Sequence, residues 1–319
     1  MDVLEFMKRR ADLQSLILGA GTVLAGTAAA VIRGNMEIFP AIICLLFALF
    51  AQLGCNLYHY YVALERTPES SVIGKAPARV ESNMTALRLL REGSKSCLII
   101  SLMLGISVLG IAKTFWLPAA SGLIIYLLAY FMARNPGIYR SPFSLVITFL
   151  VFGPLGVMTT AFLQYQSESI GTTMSFFDSA PSIFLGPAMG FLACSHHITM
   201  SYFNRSIDPN KNRPSLAKCL GQWGTVSLIF LNGLLALALM IVMVFLLGFP
   251  DPIIALVPGF IACCINSYIA CRIRHAGVGE LAYLNTLSRV NFLMTGLVSF
   301  IIWWIIGAPD DSLRVLFPS

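Results

Sequence analysis

The sequence predicts an all-α integral membrane protein with about nine transmembrane helices in one bundle. One observation behind this prediction is composition, since hydrophobic residues make up 57% and charged residues 11% of the 319 positions. A soluble domain has about 25% charged residues. The other observation is that several apolar stretches approach or exceed the roughly 20 residues that cross a bilayer. Because hydrocarbon offers the backbone no hydrogen-bond partner, we expect these stretches to be helices.

The predicted spans follow one another along the whole chain, and we expect a single domain over residues 1–319. They are residues 12–33, 37–63, 96–112, 115–133, 142–163, 182–203, 223–248, 251–271 and 286–306. Little more than Lys113 separates the third span from the fourth, which predicts a tight hairpin. Gly21, Ala25 and Ala29 recur at four-residue spacing in the first span, a pattern that favours close helix packing in lipid.

The distribution of Lys and Arg gives the orientation. With a cytoplasmic amino terminus, 18 of the 21 basic residues fall on the cytoplasmic side, with Arg289 counted near the last cytoplasmic loop. Basic residues mark cytoplasmic loops, and a wrong span count would scramble the alternation. This predicts a multi-pass protein of the cytoplasmic (inner) membrane. The net charge of +6 is explained by orientation and by contact with anionic membrane lipid, and it requires no nucleic acid.

The second and sixth spans have unusually polar cytoplasmic ends. The second span ends in the polar stretch 52–61, and the sixth contains the stretch 195–197 and ends near Asn204. Polar groups in a membrane are costly, so they face a cavity or one another. A long polar loop follows each end, at 64–95 and at 204–222. We therefore expect one shared cavity at this membrane face and a distant internal duplication.

The two polar ends also carry related sequence patterns. The first reads Gln52-Leu53-Gly54-Cys55-Asn56-Leu57-Tyr58-His59-Tyr60-Tyr61-Val62-Ala63, followed by Glu69. The second reads Met200-Ser201-Tyr202-Phe203-Asn204-Arg205-Ser206-Ile207-Asp208-Pro209-Asn210-Lys211-Asn212-Arg213-Pro214-Ser215-Leu216, closed by Leu220-Gly221. These patterns resemble the two Asp-rich motifs of the UbiA superfamily of intramembrane aromatic prenyltransferases. The nearest branch is the 1,4-dihydroxy-2-naphthoate polyprenyltransferases of menaquinone synthesis. Gly153-Pro154 fits a Phe-Gly-Pro of that family in the fifth span.

The resemblance implies Mg²⁺, which would bridge aspartates to the diphosphate of a prenyl donor. Of the five acidic positions that align in the two motifs, only Glu69 and Asp208 keep a carboxylate, and Tyr60, Ala63 and Asn204 occupy the others. Glu69 and Asp208 are therefore the candidate metal ligands. Two carboxylates on separate loops are few for two hard cations, so the substitutions argue against the usual Mg²⁺-dependent chemistry.

The candidate site residues fall into two groups, and no catalytic residue is assigned. The expected cavity residues are Asn56, His59, Tyr60, Glu69, Asn204 and Asp208. The expected ligands of a diphosphate or lipid head group are Arg66, Lys75, Arg79, Arg205, Lys211 and Arg213. Such cations bind phosphate oxygens by charge-assisted hydrogen bonds, and the alternative is that they only set topology and attract anionic lipid. His59, His196 and His197 are further candidates for metal binding or proton transfer, with a hydrogen-bonded cavity histidine as the alternative.

Three functions stay open at this point. One is an active prenyltransferase with an altered metal site. Another is a catalytically inactive relative that holds a polyprenyl lipid or a quinone, or that serves as a subunit of a membrane complex. A transporter is the third, because polar ends of broken spans also mark transport sites, but no carboxylate lies at a span centre. The missing carboxylates favour lost or altered catalysis, with polyprenyl and quinone-like molecules as the expected ligands.

Overall fold

The computed structural model describes residues 16–32, 36–65, 77–111, 116–139, 141–164, 176–207 and 215–306. This part of the chain is helical and contains no strand. The helices in chain order are α1 (Leu16–Ile32), α2 (Ile38–Glu65), α3 (Pro77–Ile111), α4 (Trp116–Arg134), α5 (Pro136–Tyr139), α6 (Phe143–Phe152), α7 (Pro154–Gln164), α8 (Phe176–Ile207), α9 (Leu216–Leu247), α10 (Pro252–Ala255), α11 (Val257–Ile273) and α12 (Val278–Ile306).

The helices confirm the predicted all-α membrane fold. Within the described residues, 7 helical segments are long and apolar enough to cross a membrane, and α6 and α7 together form one of them. Two shorter apolar helices, α1 and α11, have 17 residues each. A helix of that length spans about 26 Å, slightly less than a hydrocarbon core of about 30 Å. The count of nine spans and the orientation of the amino terminus stay predictions.

Both long polar loops are shorter than the sequence predicts. Helix α3 begins at Pro77, so residues 77–95 of the predicted loop 64–95 are helical. Helix α8 continues to Ile207 and α9 begins at Leu216, which shortens the second loop in the same way. Apolar length marks only where a helix is buried in lipid, whereas charged and polar side chains such as Glu and Arg also favour helix in water.

Helix α8 packs against the largest number of other helices. It contacts α9, α12, α6, α7 and α1. Helix α1 in turn contacts α12, α7 and α2, and α11 closes the second half against α9 and α12. Helices α3 and α4 follow each other in sequence but touch little, because α3 packs along α2 and α4 packs on α7 and α2. The predicted hairpin of these two spans is therefore wrong as a packed pair.

Glycines bring α1 and α12 into direct contact. A Cβ at Gly21 would lie 2.7 Å from the ring of Phe292, and one at Gly296 would lie 2.5 Å from the carbonyl oxygen of Gly21. Ala25 and Ala29 are fully buried in the same helix. The small-residue stripe predicted from the sequence is thus the packing face of α1.

The fifth predicted span is broken between α6 and α7. Pro154 has no backbone N–H, so the helical hydrogen bond at this position is missing. The hydroxyl of Thr22 on α1 lies 3.1 Å from the carbonyl oxygen of Phe152, the last residue of α6. On the other side, a Cβ at Gly153 would lie 2.6 Å from Cα of Gly190 on α8. The break is therefore held between α1 and α8, at the Gly-Pro pair that the sequence shows.

Candidate ligand cavity

A cavity of about 890 Å³ lies among α1, α2, α3, α4, α6, α7, α8 and α12. One part of its wall is apolar and comes mainly from α3 and α4, with half-exposed side chains at Leu102, Ile106 and Leu123. The other part is polar and comes from α2, α8 and α12. The cavity thus joins a hydrocarbon-like region to a region of hydrogen-bonding groups, which suits a ligand with an apolar body and a polar head.

Four of the predicted cavity residues line this cavity. Asn56, His59 and Tyr60 lie on one face of α2, at the three- and four-residue spacing that aligns side chains along a helix. Asn204 lies at the end of α8, and its neighbour Arg205, a predicted head-group ligand, also lines the cavity. The structure therefore brings these residues together, while their roles in binding stay predictions.

The other predicted site residues lie outside the described part of the chain. These are Glu69, Asp208, Arg66, Lys75, Lys211 and Arg213. Arg79 belongs to α3, but the position of its side chain is likewise outside the description. Both candidate metal ligands are in this group, so the predicted Mg²⁺ site stays a prediction.

The end of α8 and the start of α9 are tied together where Ser201, Asn204, Arg205 and Ser215 line the cavity, at the end that we call its mouth. The backbone N–H of Ala217 donates to the hydroxyl of Ser201 at 3.1 Å. The guanidinium of Arg205 donates to the carbonyl oxygen of Ala217 at 3.4 Å. Ser215 caps α9, where its hydroxyl accepts from the backbone N–H of Lys218 at 3.2 Å. The cap stabilises the start of α9. The two contacts with Ala217 hold this start beside the end of α8 and so position Arg205 at the mouth.

His196 and His197 both line the cavity but are held by different helices. Nδ1 of His196 lies 2.9 Å from Oγ of Ser288 on α12, and Nε2 of His197 lies 2.8 Å from Oγ of Ser144 on α6. Each serine hydroxyl also lies within hydrogen-bond distance of a backbone carbonyl oxygen, Ser288 of Asn285 and Ser144 of Ser141. Each histidine is therefore tied through one ring nitrogen to a different helix.

Two residues of α12 also face the cavity, and sequence reasoning did not single them out. Arg289 and Asn285 line the wall one helical turn apart, and each is only 5% exposed. Arg289 is predicted near the last cytoplasmic loop, but it lies within α12, about 16 Å along the helix from Val278 at 1.5 Å per residue. A charged residue near the start of the apolar run 286–306 was the signal that could have found it.

Gln52 matches the resemblance but has a structural role in the cavity wall. Its side-chain oxygen accepts a hydrogen bond of 3.1 Å from the backbone N–H of Gly19 on α1. A Cβ at Gly19 would lie 2.9 Å from the same oxygen. Gln52 therefore joins α1 to α2 at close approach.

The polar part of the cavity is cationic. The described residues that line it include Arg205 and Arg289 together with three histidines, and they include no Asp or Glu. Across the described residues, no group of three or more His, Cys, Asp or Glu side chains is placed to hold a metal ion. Mg²⁺ prefers carboxylate and phosphate oxygens, so the described wall does not fit this ion. It fits an anion that arginine binds directly.

Comparison with known proteins places the fold. No protein-family model matches the sequence, and no curated protein sequence matches it. Among solved structures, a digeranylgeranylglyceryl phosphate synthase, a UbiA-like membrane prenyltransferase, aligns with a TM-score of 0.60 and 13% identity. The alignment covers 96% of this chain and 100% of that structure. The chain therefore has the fold of a UbiA-like membrane prenyltransferase.

Proposed function

We propose that this protein is a UbiA-type, prenyltransferase-like protein that binds a polyprenyl lipid with an anionic head group. The observation that carries the proposal is the single cavity of about 890 Å³ that joins an apolar wall at α3 and α4 to a cationic wall at α2, α8 and α12. The prenyl tail lies along the apolar wall, and the head group lies near Asn204 and Arg205. This volume is at the upper end of ligand sites, which run from about 300 to 1,000 Å³.

The proposed ancestral activity is transfer of a polyprenyl group to an aromatic quinone precursor, as in the dihydroxynaphthoate branch. In this chain we propose that metal-dependent catalysis is lost or altered. Tyr60 and Asn204 line the cavity where the resemblance implies aspartates. A phenol and an amide can hydrogen-bond a diphosphate, but neither supplies the negative charge that holds Mg²⁺.

The alternative is that the protein only holds its ligand. The described cavity wall has no carboxylate, which favours a non-catalytic polyprenyl-lipid or quinone binder, or a subunit of a membrane complex. In both readings the protein lies in the cytoplasmic (inner) membrane with the mouth formed by α2 and α8 on the cytoplasmic side. The basic residues beside this mouth then meet anionic lipid.

The test is an activity assay on purified protein in nanodiscs, with a prenyl diphosphate, Mg²⁺ and a panel of aromatic quinone precursors. We expect no Mg²⁺-dependent turnover. Turnover that is lost in Asp208→Ala and kept in Asp251→Ala would overturn this expectation. Asp251 is a matched control because it is exposed at the start of α10, away from the cavity.

A gain-of-function variant tests the same idea from the other side. Tyr60→Asp, Ala63→Asp and Asn204→Asp together restore the acidic positions that the resemblance implies. We expect this triple variant to acquire Mg²⁺-dependent binding of a prenyl diphosphate, measured by calorimetry with and without EDTA. A parent protein that already binds the diphosphate only with Mg²⁺ would contradict the proposal.

A further inference from the structure

The geometry points to an inner oxyanion subsite formed by Arg289, Asn285 and His196. Without a metal ion, it binds a ligand that has both an anionic oxygen and a hydroxyl group. This inference rests on the proposed function, because it assigns a second binding position in the same cavity. It differs in location from the predicted head-group position at the cavity mouth. No residue of the Asp-rich motifs takes part in it.

Arg289 supplies the charge of this subsite. Its side chain is 5% exposed and lines the cavity from within α12. A guanidinium inside a membrane helix is costly, and such residues face cavities and mark functional sites. Arginine stays charged in proteins and presents a planar fork of N–H donors that matches two oxygens of a carboxylate or phosphate. An oxyanion is therefore the ligand chemistry that this side chain favours.

Asn285 adds a hydrogen-bond acceptor. It lies one turn before Arg289 on the same face of α12 and is equally buried. Its oxygen Oδ1 is buried and has no hydrogen-bond partner among the described residues. A buried acceptor without a partner destabilises the protein, and a ligand that brings a hydroxyl removes this cost. The combination of Arg289 with this oxygen selects a ligand that has both an anionic oxygen and a hydroxyl.

His196 faces these two residues from α8. It is 2% exposed, it lines the cavity, and Arg289 is one of its charged neighbours. Because Nδ1 is hydrogen-bonded with Ser288, Nε2 is the nitrogen left for a ligand. Ser288 lies between Asn285 and Arg289 in sequence, so one turn of α12 both supplies the subsite and orients the histidine.

The subsite lies deeper in the membrane than the cavity mouth. His196 precedes Asn204 by eight residues on the same helix, which corresponds to about 12 Å along the axis. Two arginines thus line one cavity at different depths, Arg205 at the mouth and Arg289 further inside. The shared ligand chemistry, an oxyanion with a hydroxyl, can come from a phosphate monoester or from a hydroxylated aromatic acid.

Small probes without a prenyl tail test the subsite separately from the proposed function. Purified protein in nanodiscs is titrated calorimetrically with inorganic phosphate, 2-hydroxybenzoate and benzoate, all in EDTA. We expect at least one hydroxyl-bearing probe to bind, and Arg289→Gln to weaken it about tenfold or more. Arg274→Gln is the matched control, because Arg274 stacks on the exposed Trp223 with its guanidinium carbon 4.4 Å from the ring centroid, outside the cavity.

Two variants of Asn285 keep the test decisive if Arg289→Gln fails to fold. Asn285→Asp places a carboxylate beside Arg289 and should abolish binding of every anionic probe. Asn285→Leu should lower affinity for 2-hydroxybenzoate more than for benzoate, since only the first brings a hydroxyl. Thermal unfolding in the same nanodiscs shows which variants are folded.

The outcomes separate clearly. Binding of phosphate alone supports the subsite with a phosphate head group as occupant, and binding of 2-hydroxybenzoate alone supports it with an aromatic acid. Absence of binding by every probe, equal binding by folded Asn285→Asp, or equal weakening by Arg274→Gln would overturn the subsite. Failure of the parent protein to bind a polyprenyl phosphate would contradict the proposed function and leave the small-probe result standing.

Discussion

The hydroxyl of Thr22 lies within hydrogen-bond distance of two backbone carbonyl oxygens, that of Leu18 at 3.0 Å and that of Phe152 at 3.1 Å. The first contact is within α1, and the second crosses to the end of α6. A backbone carbonyl at the end of a helix is costly in a membrane unless a neighbouring group satisfies it. A single threonine therefore stabilises the helix break.

Replacing Thr22 by Val tests this role. The valine keeps the shape but removes the hydroxyl, so the Phe152 carbonyl loses its donor. We expect a loss of about 1–3 kcal/mol in the free energy of unfolding, measured by denaturation in detergent. Thr286→Val is the control, because Thr286 is exposed and bonds only the Ala282 carbonyl of its own helix. Equal destabilisation by both variants would count against the role of Thr22.

Ser288 provides a second test at this scale, because it acts on the ligand through His196. Ser288→Ala removes the hydrogen-bond partner of Nδ1 of His196 and frees the imidazole to turn. We expect affinity for the small oxyanion probes to fall about three- to tenfold, while binding of a polyprenyl phosphate at the mouth changes less. Rescue by Ser288→Thr, which restores a hydroxyl, would separate positioning from a general loss of folding.

At the scale of helices, the contact of α1 with α12 depends on Gly296. A Cβ there would lie 2.5 Å from the carbonyl oxygen of Gly21, and a backbone oxygen cannot move aside as a side chain can. We expect Gly296→Ala to destabilise the protein by about 1–3 kcal/mol, the usual cost of overpacking. Gly110→Ala should be neutral or slightly stabilising, because nothing lies within 4 Å of a Cβ at Gly110 and alanine favours helix.

Helix positions were the part of the fold that the sequence predicts best. Apolar length alone locates α2, α4 and α8 because the bilayer demands long apolar stretches. It misses the polar first half of α3, since helical hydrogen bonds continue into water without an apolar signal. It also misses the inner position of Arg289, because the positive-inside rule explains any basic residue near a span end equally well.

The candidate site could be predicted only where a motif marked it. Asn56, His59, Tyr60 and Asn204 line the cavity, and their motif positions pointed there. Asn285 belongs to no motif, and its proposed role follows only from the cavity beside it and from Ser288 and Arg289 nearby. Such a site depends on contacts between α8 and α12, which are distant in sequence, and no local pattern encodes them.

At the scale of the whole molecule, α3 and α4 form the apolar wall of the cavity although they share little contact with each other. Gly122 on α4 lines this wall, and nothing lies within 4 Å of a Cβ there. We expect Gly122→Phe to fill part of the tail region and to lower affinity for long polyprenyl phosphates more than for short ones. Leu127→Phe on the exposed face of the same helix is the control. Equal loss of affinity across chain lengths would contradict a tail site at this wall.

The close contact of α1 with α12 also has a consequence for biogenesis. Helix α1 leaves the ribosome well before α12, so the buried face of α1 stays without this partner until α12 has been synthesised. Translation adds about 5–20 residues per second, and roughly 15–50 s therefore separate the insertion of the two helices. A nascent chain halted before α12 would present the glycine and alanine face of α1 to lipid or to a membrane chaperone. Quality control of this protein then has one late event to monitor, which is the docking of α12 onto α1.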